Sequence, residues 1–135
     1  MDGLRWFSAA AGALLAWLIG GFDELFKILV VFAILDYTSG ITLAWINKQL
    51  NSARGLRGIA KKTFLLSLVV VADKVDYVLG GSDFLRNAII YALMVNEAIS
   101  ILENCGAMGI PIPKQFFSAL EKLQSKEEDH GQGLH

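Results

Sequence analysis

Apolar positions in this chain do not alternate with polar ones. They run together in four stretches, each followed by a short polar or glycine-containing break. The stretches cover roughly residues 4–22, 25–46, 61–80 and 84–104. Each is close to the ~20 residues that a helix needs to cross about 30 Å of hydrocarbon. The pattern predicts an all-α integral membrane protein with three or four transmembrane helices. These form one domain over residues 1–110, and residues 111–135 follow as a cytoplasmic tail.

The four stretches are unequal. The second is the cleanest, a long apolar run with one acid, Asp36. The first is short and rich in alanine and glycine, which suits a span, a shallow segment or a re-entrant one. It carries Arg5 against Asp2 and no small-x-small site follows, so it is not read as a cleaved signal peptide. In the third, the run Phe64–Ala72 gives way to Asp73, Lys74 and Asp76. A charge at the centre of a spanning helix costs about 2.5–3.5 kcal/mol, less toward its ends. This stretch therefore needs partners to stay inserted.

Pro111 and Pro113 end the fourth stretch. Beyond them Phe116, Leu120 and Leu123 recur at i, i+4, i+7. That spacing predicts an amphipathic helix near 114–126, lying on the inner membrane surface or on the basic linker. "EEDHGQGLH" reads as a disordered end.

Charge adds orientation. Residues 47–62 carry Lys48, Arg54, Arg57, Lys61 and Lys62 and no acid, whereas the other two turns are short and acidic. A basic loop of this kind stays in the cytoplasm, which also places the C-terminus there. Composition agrees with a membrane protein: 54% hydrophobic residues, mean hydropathy +0.48 and 19% charged residues, against about 25% charged in soluble domains. A net charge of −1 gives no general affinity for nucleic acid. Cys105 is the single cysteine, and His130 and His135 lie in the tail, so no metal site, cofactor or internal disulfide is expected. No hydrolase triad or nucleotide-binding fingerprint is present, and no enzyme is expected.

The informative residues are the polar ones inside the apolar runs. At 1.5 Å per residue, Asp36, Asp73 and Glu97 all fall within roughly 5 Å of the bilayer midplane. Asp73 and Asp76 share a face at i, i+3, and Asn96, Glu97, Ser100 and Asn104 form a polar stripe with Glu103 beyond. Lys74 lies about 100° around the helix from Asp73, so its expected partner is an acid on another helix. "DYTSG", residues 36–40, reads as a helix break or as a close helix contact. For the serines the simpler role is interhelical hydrogen bonding. Carboxylates cannot face lipid, so they face protein or water, and so small a chain barely encloses a channel. The expectation is a homo-oligomer that turns Asp36, Asp73, Asp76, Asn96, Glu97, Ser100 and Glu103 inward as pore-lining or interhelical groups.

Two blocks, "AILDYTSGITLAWINKQLNSARGLRGIAKK" and "YALMVNEAISILENCGAMGIPIPKQF", resemble the phage-lysis and toxin-secretion holins of Gram-positive phages and clostridia. Asn96-Glu97-Ala98, Ser100, Glu103-Asn104, Gly109 and Pro111/Pro113 carry the resemblance most specifically, with Asp36-Tyr37 and Gly40. It covers about residues 20–123. The resemblance implies a host inner-membrane protein without enzymatic activity that accumulates, oligomerises at a set time and releases an endolysin or a large toxin. Two other readings stay open at this point: a small ion channel or proton-coupled transporter, and an adaptor that recruits a soluble partner.

Overall fold

The structure is a computed structural model and describes residues 1–132. His135 and the side chain of His130 lie outside what is described. The described residues form five helices: α1 (Asp2–Ile19), α2 (Glu24–Ile46), α3 (Ser52–Leu79), α4 (Phe84–Ala107) and α5 (Lys114–Gln132).

Each boundary has a local cause. Gly20 closes α1 in the left-handed region (φ 79°), with its N–H on the Ala16 carbonyl. The carboxylate of Asp23 caps α2 by accepting from the Phe26 N–H at 3.1 Å. Asn51 does the same for α3, accepting from the Arg54 N–H at 2.8 Å. Gly109 (φ 84°) and the two prolines then separate α4 from α5.

α2 does not break at "DYTSG". Thr38 donates to the Ile34 carbonyl at 2.9 Å and Ser39 to the Asp36 carbonyl at 3.0 Å, so both hydroxyls are satisfied within the helix. The linker is shorter than expected, because Asn51 starts α3 early. Arg54, Arg57, Lys61 and Lys62 are helical, and only Lys48 remains in the turn. α5 runs to Gln132, through the first residues of the end read as disordered. Lys, Glu, Gln and Leu, which dominate 120–128, are all strong helix formers. It packs along α4, not on the basic residues.

Two helices, α2 and α4, are long and apolar enough to cross a membrane, where the hydropathy pattern suggested three or four. α3 is long enough, but Arg54, Arg57, Lys61, Lys62, Asp73, Lys74 and Asp76 lower its hydropathy.

Phe26 and Leu29 of α2, Val69 of α3, and Ile90, Leu93 and Met94 of α4 form the buried apolar core, with Ile19 from α1 beside it. Polar groups are buried with it: Asp36, Asp73, Asp76, Arg86 and Glu97. The outer surface is the reverse. Phe64, Leu68, Val71, Val75 and Val78 follow one stripe of α3 and all are exposed. Charged side chains turned inward and large apolar ones turned outward invert the arrangement of a soluble domain.

Candidate functional site

The polar interior is divided into two clusters, one on each side of the apolar core. The first lies at mid-length of α2 and α4. Asp36 and Glu97 approach from these two helices, and the ammonium of Lys62, from α3, donates to both carboxylates. Glu97 is 1% exposed, and its second oxygen, Oε1, is buried without a hydrogen-bond partner. Asn104, two turns further along α4, donates to Asp36 Oδ1 at 3.3 Å and to Ser39 Oγ at 2.9 Å. Three helices thus meet at one cation shared by two anions. Removing the shared cation strands two buried carboxylates, and breaking a buried pair in this way costs about 3–5 kcal/mol.

The helices approach closely here because of glycine. The Tyr37 ring lies over α3, where a Cβ on Gly58 would stand 2.9 Å from Tyr37 Cε2. The Tyr37 hydroxyl donates to the Gly55 carbonyl at 3.3 Å. One turn along α2 from Tyr37, a Cβ on Gly40 would meet Asn104 Nδ2 at 3.6 Å. Small residues at these positions bring Asp36, Lys62 and Asn104 within reach of one another.

The second cluster closes the opposite end. Arg86, 1% exposed, donates from Nε to the Ile19 carbonyl at 2.6 Å and from Nη2 to the Gly21 carbonyl at 3.1 Å. Its fork also holds both oxygens of Asp23. Asp76 accepts from the Leu85 and Arg86 N–H groups at 3.0 and 2.8 Å, capping α4 from a neighbouring helix. Lys74 donates to Asp73 at 2.9 Å and to the Trp17 carbonyl at 2.6 Å, and sits 3.9 Å from the centroid of the Trp17 ring. Burial pushes the Asp23 carboxyl up, but the Arg86 hydrogen bonds, the Phe26 N–H and the Arg86 charge outweigh it and hold it below the usual value.

Several sequence expectations change. Asp73 is not level with Asp36 and Glu97: it lies about 16 Å along α3 from Lys62 at 1.5 Å per residue. Lys74 pairs with its sequence neighbour Asp73, because its long chain bends back across the 100° between them. Asn96 and Glu103 are exposed, one residue around the helix from the buried Glu97 and from Asn104. Ser100 lines the cleft beside Asp36. Arg86 and the central role of Lys62 were missed. An arginine inside an apolar run was the available signal for the first. Nothing local distinguishes Lys62 from Lys61.

The profile of the bacteriophage holin family matches residues 13–125. An uncharacterized 14.9 kDa protein of Clostridium perfringens is 40% identical over 125 residues, covering 92% of this chain and 95% of its own. An uncharacterized protein of Listeria monocytogenes is 42% identical over 127 residues, covering 91% of each chain. A probable holin of Bacillus phage phi105 is 28% identical over 113 residues, covering 84% of this chain and 83% of its own. No solved structure matches this chain.

Proposed function

The chain belongs to the bacteriophage holin family, and from that premise we propose that it oligomerises in a bacterial cytoplasmic membrane and forms timed lesions. Through these an endolysin, or another large protein, leaves the cytoplasm. The observation that carries the reading is the inverted surface: five buried charged residues inside a bundle whose outer faces are apolar. Such a bundle is stable in lipid, and its ion pairs are the groups with most to gain from water.

Three crossings fit this arrangement. Asp23 and Arg86 hold the starts of α2 and α4 together, and Asp36 and Asn104 join them further along. The two helices therefore run parallel, and a chain that leaves α2 on one side returns through α3 before entering α4. The exposed apolar stripe of α3 faces lipid, while Lys62, Asp73 and Asp76 face the bundle. The cations at the start of α3 put that end, and the C-terminus, in the cytoplasm. Labelling of single cysteines in a Cys105→Ser background reads this topology: residues 47–51 and 108–113 react from the cytoplasm and residues 80–83 from outside. Labelling of all three from one side rejects it.

At rest, the Asp36–Lys62–Glu97 cluster locks α2, α3 and α4 together. α5 packs along α4, and Phe117 and Leu120 line an apolar cleft with Ile99 and Leu102. When the lock parts, the polar faces turn toward water between subunits. A unit charge moved through 100 mV is worth about 2.3 kcal/mol, enough to bias such an element. The direct test expresses the chain from an inducible promoter with a large cytoplasmic reporter enzyme. Delay followed by abrupt reporter release is expected. Depolarisation without release favours a small carboxylate-lined channel instead, and neither event, with the protein in the membrane, rejects a pore.

A further inference from the structure

A cleft of about 250 Å³ opens between α2, α3 and α4 on the side of the α2–α3 turn. Arg54, Gly58 and Lys61 line it at i, i+4, i+7 of α3, and Tyr37, Ile41 and Leu43 supply the α2 wall. Arg54 and Lys61 therefore point from one stripe, with Gly58 between them under the Tyr37 ring. Asp36 forms part of the floor, but Lys62 and Asn104 already occupy it. Arg54 bonds through its side chain to neutral Gln49, at 3.2 Å. Among the described residues no carboxylate is paired with Arg54 or Lys61. The cleft thus presents two uncompensated cations above an apolar wall.

We propose that this cleft binds the phosphodiester headgroup of an anionic phospholipid. The assignment rests on the membrane reading above for its depth. Trp45, exposed near the end of α2, marks the level of the lipid headgroups, and Arg54 enters α3 at that level. Basic pockets between spanning helices on the cytoplasmic side have the chemistry to hold anionic headgroups. Here Arg54 supplies planar paired donors to phosphate oxygens, Lys61 supplies a second positive charge, and Ile41 and Leu43 lie against the glycerol and upper acyl chain. Bound lipid would link α2 and α3 across the mouth above the Asp36–Lys62–Glu97 lock.

The test is retention of lipid by the full chain purified in detergent, with phosphatidylglycerol or phosphatidylcholine added and counted by native mass spectrometry. Wild type is expected to prefer phosphatidylglycerol. R54Q/K61Q should lose roughly tenfold or more of that preference, since each cation near an anionic headgroup is worth about a factor of five. K48Q/R57Q removes the same charge outside the cleft and should lose much less. Ile41→Trp fills the cleft at unchanged charge and should also weaken retention. Equal losses in the two double variants would mean bulk charge and overturn the site. Displacement of lipid by millimolar inorganic phosphate would identify free phosphate as the ligand and overturn the lipid assignment. None of these readouts depends on reporter release, so the site and the lesion are tested separately.

Discussion

Arg86 grips Asp23 through two hydrogen bonds, Nη1 to Oδ2 at 3.0 Å and Nη2 to Oδ1 at 3.1 Å. That pair ties the first turn of α4 to the residue that starts α2. The same guanidinium also satisfies two carbonyls at the end of α1. One side chain thus joins three helices at the end of the bundle away from the basic turn.

Replacing Arg86 with Met should therefore be severe. It leaves the Ile19 and Gly21 carbonyls without these donors and Asp23 without its cation. The expected loss is about 3–5 kcal/mol, read as failure to accumulate in the membrane or as a large drop in melting temperature in detergent. Arg86→Lys keeps the charge without the fork and should fall between.

Asp23 gives a pH dependence. Its carboxyl is held below the ordinary value of 3.8 in the folded chain. Its contribution is therefore present above about pH 4 and is lost as pH falls through the lower folded value. Asp23 is half exposed, so the effect is modest. Comparing unfolding of wild type and Asp23→Asn across pH checks it. Wild type should be the more stable at pH 7, and the gap should close in acid. A gap that does not narrow at all as pH falls below 3.8 would assign the effect to packing instead.

The central lock makes a signed prediction. Glu97→Gln removes one of two negative charges facing one ammonium, so the resting bundle tightens and lysis is delayed. Lys62→Met leaves two buried carboxylates unpaired, and should advance lysis or prevent accumulation. Adding Glu97→Gln to Lys62→Met should recover part of the loss, because one uncompensated charge remains instead of two. Identical timing in all three, at equal membrane levels, would remove the lock from the mechanism.

Gly58 and Tyr37 should behave as a coupled pair. Gly58→Ala places a methyl 2.9 Å from the Tyr37 ring, and overpacking of this kind costs about 1–3 kcal/mol. In a Tyr37→Ala background the same change should be close to neutral. Thermal unfolding of the four proteins completes the cycle. Additive losses would show that the ring does not bear on Gly58.

Removing α5 tests the covering of α4. A chain ending at Pro113 keeps α2, α3 and α4, so it should still insert. Without the tail, α4 loses the helix packed along it, and the delay before lysis should shorten. An unchanged delay would confine α5 to some other role.

Much of this protein was legible in its sequence. Apolar runs, caps and prolines determine helices locally, so Asp23, Asn51, Gly109 and Pro111 mark boundaries without reference to the rest of the chain. The buried positions of Asp36 and Glu97 were legible too, since a carboxylate inside an apolar run cannot face lipid. What the sequence could not determine is which charges meet. Lys62 reads as one more cation in a basic stretch, and only the parallel packing of α2 and α4 beside α3 places it between Asp36 and Glu97. Likewise Asp76 reads as a midplane acid, and becomes the cap of α4 because the α3–α4 turn folds it over Leu85 and Arg86. Helical periodicity assigns a residue to a face and a depth. The partner comes from the register and crossing of separate helices, and that depends on contacts such as Tyr37 on Gly58, far apart in the chain.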